Sequence, residues 1–416
     1  MAVLVAVSAL WHALPAQRRD APKPGKVLPG ISVLVTDSAA LIAGKRVAVV
    51  TNQTGVDERG RSSVDRLAER AKIVALFAPE HGIRGEEDRP DLADGRDATT
   101  GAPIYSLYRR TTVGPSAEQL REVDVLVVDL QDIGTRTWTY VGVMLYTMQA
   151  AARAQVPVII CDRPNPITGA RTEGALLDSA LASTVLDTTG QRSNGFALWP
   201  MPLRHGLTMG ELARFYRDAL KLPVTLHVIP MANWRRAMWY DETGLPWVRP
   251  SPNLPSLESA LLYPALVAFE ASNLSVGRGT DAPFQRLGAP WLDADSVAAL
   301  LNGLELTGVR FDAERVTPRA PTDGKFDGVA LGAVRVVVTD RDRVQPARVG
   351  AALLWALARR HPGEMTLRTT RFDERFGAAA ARAQLLSGAD PDAVMDATLA
   401  DALAFARRTR GLLLYR

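Results

Sequence analysis

The sequence predicts an α/β protein, with a Rossmann-like parallel sheet in its first half and a smaller α+β second half. Two observations carry this. From Ile31 to about Leu222, apolar runs of strand length alternate with helix-patterned segments, and such alternation gives parallel strands joined by right-handed crossovers. In addition, the first four runs each stop at a cluster of polar, chemically capable residues. Strand ends have this composition when a ligand crevice lies along the carboxyl edge of one sheet.

The elements follow in order. Residues 46–50 (RVAVV) lead into Thr51-Asn52-Gln53-Thr54-Gly55, and residues 72–77 (KIVALF) into Pro79-Glu80-His81-Gly82. Residues 123–128 lead into Asp129-Leu130-Gln131-Asp132-Ile133-Gly134, and residues 156–161 into Asp162-Arg163-Pro164-Asn165-Pro166. Between the runs, residues 64–71 have helical spacing, Ser116-Ala117-Glu118-Gln119-Leu120 begins like a capped helix, and residues 140–155 form a long apolar-rich helix. Thr208-Met209-Gly210-Glu211 has the residues of a reciprocal capping box and opens a helix through Leu220, ahead of a strand at 224–229. A stretch rich in Trp and Pro (234–255) marks a boundary. Beyond it, residues 256–271, 293–303 and 347–360 pattern as helices, and 309–311 and 332–338 as strands. The expected organisation is a sheet domain over 31–250 and an α+β domain over 251–416.

Residues 1–17 are expected to be an export signal. Ala2 to Leu10 is an apolar core of signal-peptide length, too short to span a bilayer, and Ala13-Leu14-Pro15-Ala16 resembles a small-residue cleavage region. Residues 18–30, charged and rich in Pro and Gly, suit a linker. The expected location is therefore periplasmic or extracellular, with no membrane span once the signal is removed; the alternative is a frayed N-terminus and a cytoplasmic protein.

Composition narrows the function. The net charge of +4 comes from interspersed acids and bases, with no basic block or aromatic-basic stripe for nucleic acid. A single cysteine, Cys161, excludes an internal disulfide framework and multi-Cys metal sites, and its apolar run suggests a small buried hydrophobe. The five histidines lack zinc spacing, so no metal is expected. No Gly-x-Gly-x-x-Gly follows the first strand, and Walker-type and Gly-x-Ser-x-Gly motifs are absent. No cofactor is expected, and carboxylate chemistry remains.

Glu80, on an apolar strand end and followed by His81, suits general acid work, with the imidazole able to tune or relay a proton. Asp132 starts the loop after the third run. Arg136 either pairs with Asp132 or grips an anionic substrate group bidentately. Two prolines pre-organise the segment that carries Asp162, Arg163 and Asn165. Glu173, in Glu173-Gly174, is a candidate second carboxylate, since glycoside hydrolysis uses two; a plain surface glutamate is the alternative. Arg204-His205-Gly206 precedes a helix N-terminus that suits an anion or a simple cap. Glu270 to Asp281, polar and Gly-rich, is either a loop that closes over the site or a plain connection.

Together these stretches resemble the NamZ-type exo-β-N-acetylmuramidases, a family formerly labelled a domain of unknown function. The resemblance is carried, in order, by Thr51–Gly55, Phe77-Ala78-Pro79-Glu80-His81-Gly82, Tyr105-Ser106-Leu107-Tyr108, Asp129–Arg136, Asp162–Pro166, Arg204–Gly206, Pro250-Ser251-Pro252-Asn253 and Gly277-Arg278-Gly279-Thr280. It implies an active site in the cleft between the two domains and release of N-acetylmuramic acid from the non-reducing ends of peptidoglycan fragments. By position, Glu80, His81, Asp132 and Glu173 are the expected catalytic residues. Asn52, Arg136, Asp162, Arg163, Asn165, Arg204, His205, Glu270, Asn273 and Arg278 are the expected substrate-binding residues. The lactyl carboxylate of muramic acid needs a cation, for which Arg136, Arg163, Arg204 and Arg278 are candidates. A non-catalytic cell-wall saccharide-binding protein on the same scaffold is the alternative. The sequence leaves the oligomeric state open.

Overall fold

In a computed structural model, residues 25–83, 94–107, 114–183 and 197–416 are described; the expected leader and residues 18–24 lie outside them. The main sheet joins β1 (Arg46–Thr51), β2 (Lys72–Ala78), β3 (Gly95–Arg96), β4 (Pro103–Ser106), β5 (Val125–Asp129), β6 (Val158–Cys161) and β9 (Leu226–Ile229) in the order β3-β4-β2-β1-β5-β6-β9. All its pairings are parallel except that of the edge strand β3. The order reverses at β1, from which the chain steps first to β2 on one side and later to β5 on the other. This is the switch point at which doubly wound sheets bind ligands.

Strand alternation divides the sheet's side chains between two cores. Val47, Val49, Leu76, Val125, Val127, Ile159 and Cys161 pack on one face with Ile31, Leu34 and Val35 of α1 (Gly30–Thr36) and Val64 and Leu67 of α2 (Ser63–Ala68). Burial pushes the Cys161 thiol pKa well up, in keeping with an inert hydrophobe. Ala48, Val50, Phe77, Leu126, Val128 and Ile160 line the other face, under α3 (Thr139–Ala154) and α4 (Met209–Ala219). That second core runs on without a break into the C-terminal half, through residues such as Leu262, Phe269, Val334 and Leu353.

The C-terminal half holds an antiparallel sheet, β10 (Arg286–Ala289), β12 (Leu331–Val338) and β11 (Val309–Val316), in that order. Around it lie α5 (Leu257–Leu266), α6 (Ala294–Asn302), α7 (Pro346–Arg360), α8 (Thr369–Phe376), α9 (Ala379–Leu386) and α10 (Pro391–Thr409). A two-stranded pair, β7 (Glu173–Leu176) with β8 (Pro202–Arg204), packs against α10 and α7. Among the described residues, no helix is long and apolar enough to cross a membrane.

Two local expectations fail. Ser116 to Leu120 stays a single turn: Ser116 Oγ accepts from Gln119 N–H and Gln119 Oε1 accepts from Ser116 N–H, as in a capping box. However, β5 begins at Val125, too soon for a helix to propagate. Residues 25–30, read as linker, are fixed in place. Val27 is fully buried beside Trp234 and Tyr415, and Leu28 exchanges backbone hydrogen bonds with Ala232.

Candidate active site

Glu80 leaves β2 at the carboxyl edge of the sheet. His81 adopts a left-handed conformation (φ 72°), which turns the chain so that Gly82 N–H reaches the Pro79 carbonyl at 3.1 Å. Glu80 stays half-buried, and its Oε2 accepts a hydrogen bond of 2.6 Å from the hydroxyl of Thr139, the first residue of α3. The fully buried Tyr140 hydroxyl accepts from Asn52 Nδ2 (2.7 Å) and donates to the Pro250 carbonyl (2.7 Å). Asn52 Oδ1 in turn accepts from the Thr54 amide and hydroxyl. Asn52 thus holds the β1 loop and α3 together beneath the site.

An aromatic path leads from here into the C-terminal half. Trp138 meets Tyr263 edge-on at 5.8 Å, Tyr263 meets Phe284 at 4.7 Å, and the Arg278 guanidinium lies over Phe284 at 5.4 Å. Arg278 donates to Glu270 Oε1 from Nη2 (2.6 Å) and Nε (3.2 Å), and Arg375 Nε lies 3.7 Å from Glu270 Oε2. Burial raises the Tyr263 phenol pKa, the charges of Glu270 and Glu80 add to the rise, and Arg375 and Arg278 oppose it. Glu80, Glu270, Arg278 and Arg375 therefore share one neighbourhood, where the switch-point edge of the sheet meets the C-terminal half.

The other predicted residues have partners of their own. Arg163 forks onto Asp129 at 2.6 and 2.8 Å, an ion pair buried at the ends of β5 and β6; burial lowers the Arg163 pKa and Asp129 more than offsets it. Asp162 accepts from Thr208 Oγ1 (2.7 Å), Gly210 N–H (2.8 Å) and Tyr415 OH (2.6 Å), so it ties β6 to the start of α4 and to the chain's last residues. Burial pushes the Asp162 pKa up to about 6 against the pull of these bonds. Asn165 is spent on the Leu207 carbonyl and the Ile167 amide. Asn273 is spent on the Glu364 carbonyl and the Thr366 amide.

Arg136 is bound to backbone carbonyls at the end of α8. Its guanidinium donates to the carbonyls of Glu374 and Arg375 at 2.8 Å each, and burial lowers its pKa to about 10. Asp132 instead faces His205, Oδ2 to Nε2 at 3.4 Å. It also accepts from the Gly134 amide, while His205 Nδ1 accepts from the Leu207 amide. Glu173 pairs with Arg204 at 3.3 Å across β7 and β8. Burial raises the Glu173 pKa and lowers that of Arg204, each against the pull of its partner. Asp132 and Glu173 each meet a partner on a neighbouring strand end, a pairing to which short-range spacing is blind, yet Asp132 Oδ1, His205 Nε2 and Arg204 Nε stay buried without a hydrogen-bond partner among the described residues. Thr139, Tyr140, Tyr263 and Arg375, which build the site, were missed. The start of a helix at the sheet's carboxyl edge was the usable signal for the first two, and only the tertiary fold gives the others.

Fold and site together define a two-domain α/β protein with carboxylates and cations collected where a doubly wound sheet meets a smaller α+β region. The family models described as exo-β-N-acetylmuramidase NamZ match this chain, the N-terminal one over residues 47–258 and the C-terminal one over 261–415. The chain belongs to this family. It is 37% identical over 407 residues to the peptidoglycan β-N-acetylmuramidase NamZ of Bacillus subtilis, covering 97% of this chain and 95% of that protein. Two crystal structures of DUF1343 family proteins from Bacteroides fragilis share the fold. One is 32% identical with a TM-score of 0.82 and the other 28% identical with a TM-score of 0.72, each covering 94% of this chain and 99% of its own.

Proposed function

We propose that this protein is an exo-acting β-N-acetylmuramidase, a glycoside hydrolase that releases N-acetylmuramic acid from the non-reducing ends of peptidoglycan fragments. Family membership over the length of the chain supports the activity. The observation that carries the site assignment is the half-buried Glu80 carboxylate, held by Thr139 and sharing the surroundings of Tyr263 with Glu270 and Arg278.

In this reading, Glu80 protonates the glycosidic oxygen as the bond to the anomeric carbon breaks, and water supplies the hydroxyl of the released sugar. His81 and the turn it forms aim Glu80. Of the carboxylates proposed to act second, Asp132 faces His205 and Glu173 pairs with Arg204, whereas Glu270, like Glu80, acts on Tyr263. Of the four candidate cations for the lactyl carboxylate, Arg136, Arg163 and Arg204 are buried in the scaffold. Arg278 keeps 16% of its side chain exposed next to Glu80's neighbours, and its role is to take the lactyl carboxylate in exchange for part of its pairing with Glu270.

Residues 1–17 are proposed to direct export, which would place the enzyme where peptidoglycan is turned over; their apolar core supports this. The activity is tested with the purified chain from residue 25 onward and a chromogenic β-glycoside of N-acetylmuramic acid, with the N-acetylglucosamine analogue as control. Release from the muramic substrate alone is the expected result. Saturable binding without release would favour a binding protein on the same scaffold.

A further inference from the structure

The connection between β11 and β12 reaches back to the site loop, and its side chains have an unusual hydrogen-bond balance. Thr322 Oγ1 accepts from Arg278 Nη1 at 2.9 Å and from Asn253 Nδ2 at 3.3 Å. A hydroxyl has two lone pairs and one hydrogen, so both of these acceptor positions are filled and the O–H is left to donate. Thr322 is exposed, so that hydrogen is free to donate to a group arriving from solvent beside Arg278.

The loop is held firmly against Arg278 and Glu270. Arg319 N–H donates to the Gly279 carbonyl at 2.8 Å. A Cβ on Gly279 (φ 76°) would sit 2.7 Å from the Arg319 carbonyl oxygen and 3.0 Å from Pro321 Cα, so the two loops approach as closely as a glycine allows. Lys325 Nζ donates to the carbonyls of Glu270 (3.1 Å), Ser272 (2.9 Å) and Leu274 (2.9 Å), which uses all three ammonium hydrogens on the backbone next to Glu270. Burial lowers the Lys325 pKa, as expected of an ammonium drawn into a nest of carbonyls. Lys325 thereby fixes the segment that carries Glu270 against the loop that carries Thr322.

We infer that Thr322 is a specificity-determining residue: its O–H donates to the carboxylate that Arg278 binds, and Lys325 is the positioning residue that sets the distance between them. The pair reads charge through Arg278 and acceptor position through Thr322. This rests on the muramidase reading and deepens it, because the discriminating group becomes the lactyl carboxylate.

The test uses Thr322→Val, which keeps the shape and removes the hydroxyl, Thr322→Ser, which keeps the hydroxyl, and Lys325→Met. Steady-state kinetics on the muramic chromogenic substrate are read beside thermal melts. Thr322→Val is expected to raise KM about tenfold, the worth of one hydrogen bond to a charged group, with kcat within about twofold and only a small fall in melting temperature from the lost Arg278 and Asn253 contacts. Thr322→Ser is expected to restore KM. Lys325→Met is expected to raise KM with the Thr322 hydroxyl still present. An unchanged KM in Thr322→Val, or a Thr322→Ser variant that behaves like Thr322→Val, overturns the inference and leaves the muramidase reading intact. A wild-type protein that releases nothing from the muramic substrate fails the reading itself. The inference is then judged by calorimetric binding of free N-acetylmuramic acid, where equal affinity of wild type and Thr322→Val overturns it.

Discussion

Replacing Arg136 with Met separates a scaffold role from a substrate role. The guanidinium is fully buried and donates to the carbonyls of Glu374 and Arg375. These lie in the last turn of α8, whose final carbonyls have no partner within the helix. With its pKa near 10, the side chain is still cationic at neutral pH. Each hydrogen bond from a charged donor is worth about 1.5–3 kcal/mol, and removing the buried cation also removes its desolvation cost, so a net loss of about 3 kcal/mol is expected. Unfolding entropy of about 2.1 cal/mol/K per residue over 416 residues converts this to a fall in Tm of about 3–4 °C. Because Arg375 also faces Glu270, loosening α8 should lower kcat modestly. Calorimetry and steady-state kinetics read both effects. An unchanged Tm with a KM raised tenfold or more would mean that Arg136 reaches the substrate, and would refute the reasoning.

Tyr140→Phe leaves Asn52 Nδ2 and the Pro250 carbonyl without their shared partner and should cost about 2 kcal/mol in urea unfolding. Asp162 predicts an unusual pH dependence. Its folded pKa, about 6, lies above the ordinary aspartate value of 3.8, so the fold favours the protonated form. That contribution is fully present below the unfolded value and is lost as pH rises through about 6. Relative to Asp162→Asn, wild-type stability should therefore fall by about 2 kcal/mol between pH 4 and pH 7, as read from unfolding free energies across that range.

The sheet was legible because its strands obey a simple rule. Val47 and Val49 go to one core, Ala48 and Val50 to the other, and both are apolar, as a strand covered on both faces requires. The capping box at Thr208 and Glu211 was legible for the same reason: its partners lie three residues apart. The site was legible only in part. Glu80 lies on its strand end as predicted, and the Glu270–Arg278 loop does reach its neighbourhood. Asp129 and Arg163, however, neutralise each other across 34 residues of chain, and Glu173 and Arg204 pair likewise. A local pattern shows which residues reach the carboxyl edge, but not which of them are already satisfied there. Thr322 and Lys325, in a polar loop with no motif, gain meaning only from partners 44 or more residues away.

The central claim is that Glu80 donates the proton. Glu80→Gln keeps the volume and an acceptor for the Thr139 hydroxyl but cannot act as an acid. On the chromogenic muramic substrate at neutral pH, kcat/KM should fall by about two to four orders of magnitude with the melting temperature unchanged. A Glu80→Gln variant that turns over within a few-fold of wild type would contradict the account.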